Sequence, residues 1–216
     1  MERSRGSVSG VLVGAGVAVG AALALSACGH PAGPGAPSMT SAPMTVSCLD
    51  LDGNGRPRWV GGPPSTQAAG VASALQEVGN AYPDEVAGVA LCSDGSGADI
   101  YLAPDQGSAR AKAVELAGQH PGAVHLVEVP HSLAEQLTAM DAVRPHMDEE
   151  PRITGMGPEP WTGGLAVRVV PVSGTLEDIE AQRGPDVADV RARIVAAIGP
   201  GLPLRFERGD GAGVLL

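Results

Sequence analysis

The sequence predicts an α+β domain built from two similar α-β-β-α-β halves. In each half, helices pack on an antiparallel or mixed sheet, and a short hairpin precedes the pair. Three observations carry this. Residues 65–129 and 132–208 pass through the same order of helical and extended patterns. Strong turn sequences, Asp52-Gly53-Asn54-Gly55 and Asp94-Gly95-Ser96-Gly97, separate neighbouring extended runs. Helix-start signals, Ser132 with Glu135 and Pro185 with Asp186, open the helical stretches of the second half. The likeness of the halves is one of element order, not of residue identity.

Taken in order, Thr45 to Leu49 and Arg58 to Val60 read as the leading hairpin. Ser65 to Val78 reads as a helix with Ala68, Val71, Leu75 and Val78 on one face. Val86 to Cys92 and Ala98 to Ala103 are the strands of a second hairpin. Asp105 is placed to cap a helix ending at Gly118, and Val124 to Val129 forms the next strand. In the second half, Leu133, Leu137 and Met140 mark a helical stripe. Arg152 to Met156 and Leu165 to Val170 are strands around a Gly/Pro-rich turn. An insertion follows, where Thr175 and Asp178 can cap a short helical turn. Val187, Val190, Ile194 and Ile198 line a helix closed by Gly199-Pro200, and Leu202, Leu204 and Phe206 alternate along a last strand.

Ahead of the domain, Arg3 and Arg5 lead into an apolar run, Val8 to Ala24, and then Leu25-Ser26-Ala27-Cys28. This stretch resembles the lipobox of bacterial lipoprotein precursors. The resemblance implies a signal peptide over 1–27, a diacylglyceryl group on the Cys28 sulfur, and Cys28 as the mature N-terminus. Two acyl chains suffice for stable attachment at about 0.8 kcal/mol per buried methylene. The competing reading is an uncleaved membrane helix, but the glycines at 10, 14, 16 and 20 suit a removed leader better. Residues 28–44 are rich in Pro, Gly, Ser and Ala and read as a tether, leaving 45–216 as the exported domain. The expected location is therefore the extracytoplasmic face of the cell membrane, held by lipid.

Charge excludes some partners. The chain carries a net −10, and residues 1–27 contribute +1, so the remainder stands at −11. Thirteen Arg and one Lys, Lys112, spread through an acidic chain make no basic field for nucleic acid. The same balance argues against lying flat on anionic lipid, so the membrane contact is expected through the N-terminal lipid alone.

Of three cysteines, acylation of Cys28 would leave Cys48 and Cys92 as a pair in an oxidising compartment. A bridge would close a loop of about 45 residues, worth about 2–4 kcal/mol, in a chain with one Phe, two Trp and two Tyr. The alternative is two buried thiols that never meet.

The candidate sites are few. Asp50-Leu51-Asp52-Gly53-Asn54-Gly55 matches the opening of a calcium loop, but Gly61 stands where the twelfth position needs a bidentate carboxylate. A hairpin turn explains the same residues. His30, His120, His125, His131 and His146 show no zinc-ligand spacing, so no metal and no cofactor are expected. Gly-x-Ser-x-Gly, phosphate-loop and Cys-x-x-Cys patterns are missing, and Glu149-Glu150 and Glu177-Asp178 read as solvated charges, so no catalytic residue is assigned. Trp161, in a Pro/Gly-rich stretch between two strands, is either a contact residue or a lid folded onto a small core. Trp59 invites the same two readings.

A weaker likeness covers residues 98–208. The run from Val124 to Glu135, and Arg152 to Gly157 with Gly163 to Val169, resemble small α/β modules of secreted actinobacterial proteins, including protease pro-regions. The resemblance lies mostly in element order and implies a module that binds a protein. Together these readings point to a non-catalytic envelope lipoprotein that binds a macromolecular partner, an envelope protein or surface component, through an exposed strand edge or the Trp161 loop. The alternative is a small-molecule binder with a cleft between the halves, and an uncharacterised hydrolase is the third possibility.

Overall fold

The computed structural model describes residues 44–104 and 107–209. The leader, Cys28, His30, most of the tether and the expected cap Asp105 lie outside the described residues.

The first half contains α1 (Thr66–Ala81), β3 (Val86–Leu91), β4 (Ala98–Leu102), α2 (Ser108–Gln119) and β5 (Val124–Glu128). It follows a two-residue-per-strand hairpin, β1 (Asp50–Leu51) and β2 (Pro57–Arg58). The second half contains α3 (Leu133–Val143), β6 (Ile153–Glu159), β7 (Gly164–Val169), α4 (Leu176–Glu180), α5 (Pro185–Ile198) and β8 (Leu204–Arg208). Each half makes one three-stranded sheet, in order β3-β4-β5 and β6-β7-β8. The first pair in each is antiparallel and the second parallel. The parallel pair requires a crossover, which α2 supplies in one half and α5 in the other.

The repetition extends to irregularities. A register shift falls between Val86 and Gly88 in β3 and between Ile153 and Gly155 in β6. The N–H of Ala98 donates to the Ala123 carbonyl and that of Leu165 to the Pro203 carbonyl, both at 2.9 Å. Just before each donor stands a glycine, Gly97 or Gly164, whose Cβ would collide with that same carbonyl. The two units are one design used twice, with no residue identity needed to see it.

Helices cover one face of each sheet. Val71, Leu75 and Val78 of α1 pack with Ala98, Ile100 and Leu102 of β4 and with Ala109 and Ala113 of α2. In the second half, Val187, Val190 and Ile194 of α5 pack with Leu165, Val167, Val169 and Phe206. Each fully buried Val, Leu or Ile among them is worth about 1.5–3 kcal/mol. Local signals set the helix starts. Ser65 Oγ accepts from Ala68 N, and full capping boxes join Ser132 to Glu135 and Thr175 to Asp178. The first turn of α5 carries Asp186, whose buried carboxylate collects the backbone N–H groups of Val172, Ser173 and Gly174 at 2.6–3.2 Å.

Three details differ from the sequence reading. The leading hairpin is displaced: its strands are Asp50–Leu51 and Pro57–Arg58, while Thr45 instead donates to Leu126 of β5. The inward face of α3 is Gln136, Ala139 and Val143, and Leu137 is left 45% exposed. The cause is Gln136, whose side chain donates to the His131 carbonyl and accepts from Glu159 N, so the helix turns its amide toward β6. Strand β6 also runs on through Glu159, shrinking the expected Gly/Pro-rich loop to a turn over Pro160–Gly163.

Free strand edges are partly closed. The Gln182 amide donates to the Phe206 carbonyl and accepts from Phe206 N, both at 2.7 Å, imitating a neighbouring strand on β8. Among the described residues, no helix is long and apolar enough to cross a membrane.

Candidate functional site

Along β4, Ala98, Ile100 and Leu102 turn to the helices, so alternation sends Asp99 and Tyr101 to the opposite face. There the segment from Met44 to Leu51 crosses over them and is fastened by the Cys48–Cys92 disulfide, with S–S 2.02 Å and Cα–Cα 5.0 Å. The pairing expected from cysteine count and compartment is present.

Around that bond lies a polar cluster. Asp99 is fully buried, and its carboxylate accepts from Ser47 Oγ at 2.5 Å, Tyr101 Oη at 2.7 Å and Cys48 N at 3.1 Å. Asp99 Oδ1 also sits 2.8 Å from Cys48 Sγ. Burial pushes the Tyr101 phenol up, and the adjacent Asp99 charge adds to this, so the ring stays protonated and donating. His125 is the register partner of Asp99 on β5. One ring nitrogen of His125 and the two cysteine sulfurs lie within 4.8 Å of one another.

The second half carries its own polar cluster on the corresponding face. Glu159 is 1% exposed and pairs with the Arg205 guanidinium through Nε, while its other oxygen accepts from Thr162 Oγ1 at 2.7 Å. Arg205 also lies 2.8 Å from Glu207, which Arg56 and Arg168 flank at 3.4 Å each. Burial works against the Glu207 charge, but Arg205, followed by Arg168 and Arg56, outweighs it and holds the carboxyl below its ordinary value. Arg56 belongs to the leading hairpin, so this network ties the N-terminal segment to the second sheet.

Trp161 sits half-buried beside Tyr101, Ala87 and Val129, and its indole N–H donates to the Gly55 carbonyl at 3.1 Å. It is placed as a lid on a small core between the leading hairpin and the first sheet. Trp59 differs: it is 46% exposed, with its N–H turned back to the Gly62 carbonyl. On the same leading segment Val46, Leu51 and Val60 are exposed as well.

The calcium-like stretch is a turn. Asp52 Oδ1 accepts from Asn54 N and Arg56 N, and Asp50 pairs with Arg58 at 2.7 Å. Two histidines away from the disulfide cluster have polar partners: His146 meets Glu149 at 2.8 Å and His131 meets the Gly201 carbonyl at 3.3 Å. At the junction of the halves a groove of about 400 Å³ is lined by Asp84, Ala103, Pro104, Pro130, Ser132 and Glu135.

Sequence reasoning missed Asp99, Tyr101, Glu159 and Arg205, and set His125 aside for want of zinc-ligand spacing. Each is unremarkable alone, and only strand register and the crossing N-terminal segment assemble them. The available signal was the alternation of β4, which puts a carboxylate inside a strand otherwise apolar on that side. Compared with known proteins, the chain matches no family model and no curated protein.

Proposed function

We propose that this chain is a lipid-anchored, non-catalytic protein of the extracytoplasmic membrane face whose α+β domain binds a macromolecular envelope partner. The observation that carries the reading is the Cys48–Cys92 disulfide, a bond typical of compartments that keep thiols oxidised. It agrees with the address implied by Leu25-Ser26-Ala27-Cys28. The contact surface is the leading segment, where Val46 (91%), Leu51 (43%), Trp59 (46%) and Val60 (54%) present apolar side chains to solvent. Exposed aromatic and aliphatic side chains on one segment suit a protein contact better than Trp161, whose ring is already engaged.

Two measurements test the proposal. Intact-mass analysis of the native protein should show a diacylglyceryl group on an N-terminal Cys28; a free thiol with residues 1–27 still attached overturns the anchor. Photo-crosslinking groups placed at Val46 and Trp59 in living cells should capture one reproducible envelope component. Crosslinks that are no more frequent than from the exposed control position Lys112 would overturn the partner.

A second reading rests on the junction groove. Asp84 and Glu135 give it an acidic lining, so a small cationic ligand is the chemistry it would accept. Thermal shifts with cationic metabolites that disappear in Asp84→Asn would favour this reading over the first.

A further inference from the structure

We infer that reduction of the Cys48–Cys92 disulfide creates a binding site for a thiophilic divalent metal ion, formed by both cysteine sulfurs and the His125 imidazole. The three ligand atoms already lie within 4.8 Å of one another. Zinc holds sulfur at about 2.3 Å and imidazole nitrogen at about 2.0–2.1 Å. The cluster therefore needs little beyond separation of the two sulfurs. Cys92 follows β3, His125 lies on β5, and Cys48 comes from the segment that crosses them, so the ligands approach from three directions.

The surroundings set this cluster apart from its counterpart in the second half. Asp99 is a fully buried carboxylate whose donors, Ser47 Oγ, Tyr101 Oη and Cys48 N, are all neutral. The second half fills the positions of Cys92 and His125 with an ion pair. Its equivalents of Cys92, Asp99 and His125 are Glu159, Ala166 and Arg205, and the guanidinium there neutralises the buried acid. In the first half the corresponding place is bounded by sulfur and imidazole, a ligand set for a soft or borderline metal rather than a salt-bridge partner. The Asp99 carboxylate accepts the Cys48 backbone N–H at 3.1 Å and so holds that ligand's segment in place.

The chemistry balances with a dithiol as reductant. Its thiolate attacks Cys48 Sγ, because Cys48 is partly exposed whereas Cys92 is fully buried. Cys92 leaves as a thiolate, and the second reductant thiolate then displaces Cys48. Two electrons and two protons pass to the protein, and the reductant becomes a disulfide. Metal binding releases the two thiol protons to solvent, and reoxidation passes both electrons to a disulfide of higher potential, which takes two protons from solvent as the ion is expelled. The site requires neither the lipid anchor nor a macromolecular partner.

The test uses the full chain in detergent micelles, reduced anaerobically, freed of reductant and titrated with Co²⁺. The expected result is a saturable thiolate-to-cobalt charge-transfer band, absent from the oxidised protein and abolished in the double variant Cys48→Ser, Cys92→Ser. His125→Ala should weaken binding by about 10–100-fold, the loss that removal of even an outer-shell metal partner produces. A reduced wild-type protein without the band, or a His125→Ala titration identical to wild type, overturns the inference. Circular dichroism run in parallel covers loss of fold: refolding of the reduced chain by Zn²⁺ supports the site, and failure of Zn²⁺ to refold it counts against the site.

Discussion

Cys92 and Glu159 hold the same position in the two halves of this protein. Cys92 stands across from Gly97, donating to its carbonyl at 2.9 Å, and Glu159 is the register partner of Gly164. Each lies where the first strand ends and the chain turns toward the middle strand. One position fastens the N-terminal segment with a covalent bond, and the other fastens it through an ion-pair network reaching Arg56. The duplicated fold thus presents equivalent attachment points to a single unrepeated segment.

The glycines across from them should be intolerant of a side chain. A methyl group on Gly97 would meet the Ala123 carbonyl, and one on Gly164 the Pro203 carbonyl. Gly97→Ala and Gly164→Ala should each cost about 1–3 kcal/mol, as overpacking does. Gly70→Ala, on the open side of α1, should be neutral or slightly stabilising by comparison. Chemical denaturation of the three variants checks the contrast.

The buried ion pair should respond asymmetrically. Arg205→Ala leaves the Glu159 carboxylate almost wholly buried with only Thr162 donating to it, and about 3–5 kcal/mol should be lost. Arg58→Ala removes the exposed pair with Asp50 and should cost about 1 kcal/mol or less. Equal losses in urea midpoints would show that burial does not govern the pair.

Removing the covalent fastening should also be measurable. Cys48 and Cys92 are 44 residues apart, so the Cys48→Ala, Cys92→Ala variant should lose about 2–5 kcal/mol. Because the segment they hold covers Asp99 and Tyr101, Tyr101 fluorescence and hydrogen exchange in β4 should report its release before global unfolding.

Stability should fall at both ends of the pH scale. Arg205 and its neighbours depress Glu207 against burial, and hydrogen bonds from the Arg56 backbone, the Ser96 hydroxyl and the Thr175 backbone depress Asp52, Asp94 and Asp178 respectively. A depressed carboxyl contributes stability that is whole above its unfolded value, 4.5 for Glu and 3.8 for Asp, and is lost as pH drops through the folded value. Tyr101 is raised, so its contribution is whole below 10.0 and is lost above that, where the unfolded chain ionises first. Melting temperatures should therefore be flat with respect to these groups from about pH 5 to 9 and fall on both sides. Tyr101→Phe should flatten the alkaline limb.

Much of the architecture was legible because its causes are local. Ser65, the Ser132–Glu135 box and the Thr175–Asp178 box act within three residues, so sequence spacing alone places them. Leu165, Val167 and Val169 are fully buried as their alternation requires. Leu137 shows where periodicity stops deciding. The stripe through Leu133 and Met140 was apolar, yet Gln136 turned inward because Glu159 N needed an acceptor. A hydrogen-bond demand raised by a distant strand is invisible to a helical pattern. Glu159 was misplaced for a related reason, since the glycines and prolines around it read as loop although β7 pairs with the whole stretch.

Local patterns place the two-fold order of elements and the starts of α1, α3, α4 and α5, because turn chemistry, capping and alternation are properties of neighbouring residues. Tertiary structure alone decided which polar groups meet. Asp99 reaches Cys48 across 51 residues and Arg205 reaches Glu159 across 46, through strand register and a crossing segment. Contacts between residues so far apart depend on how sheets align in space, and no local pattern encodes that alignment.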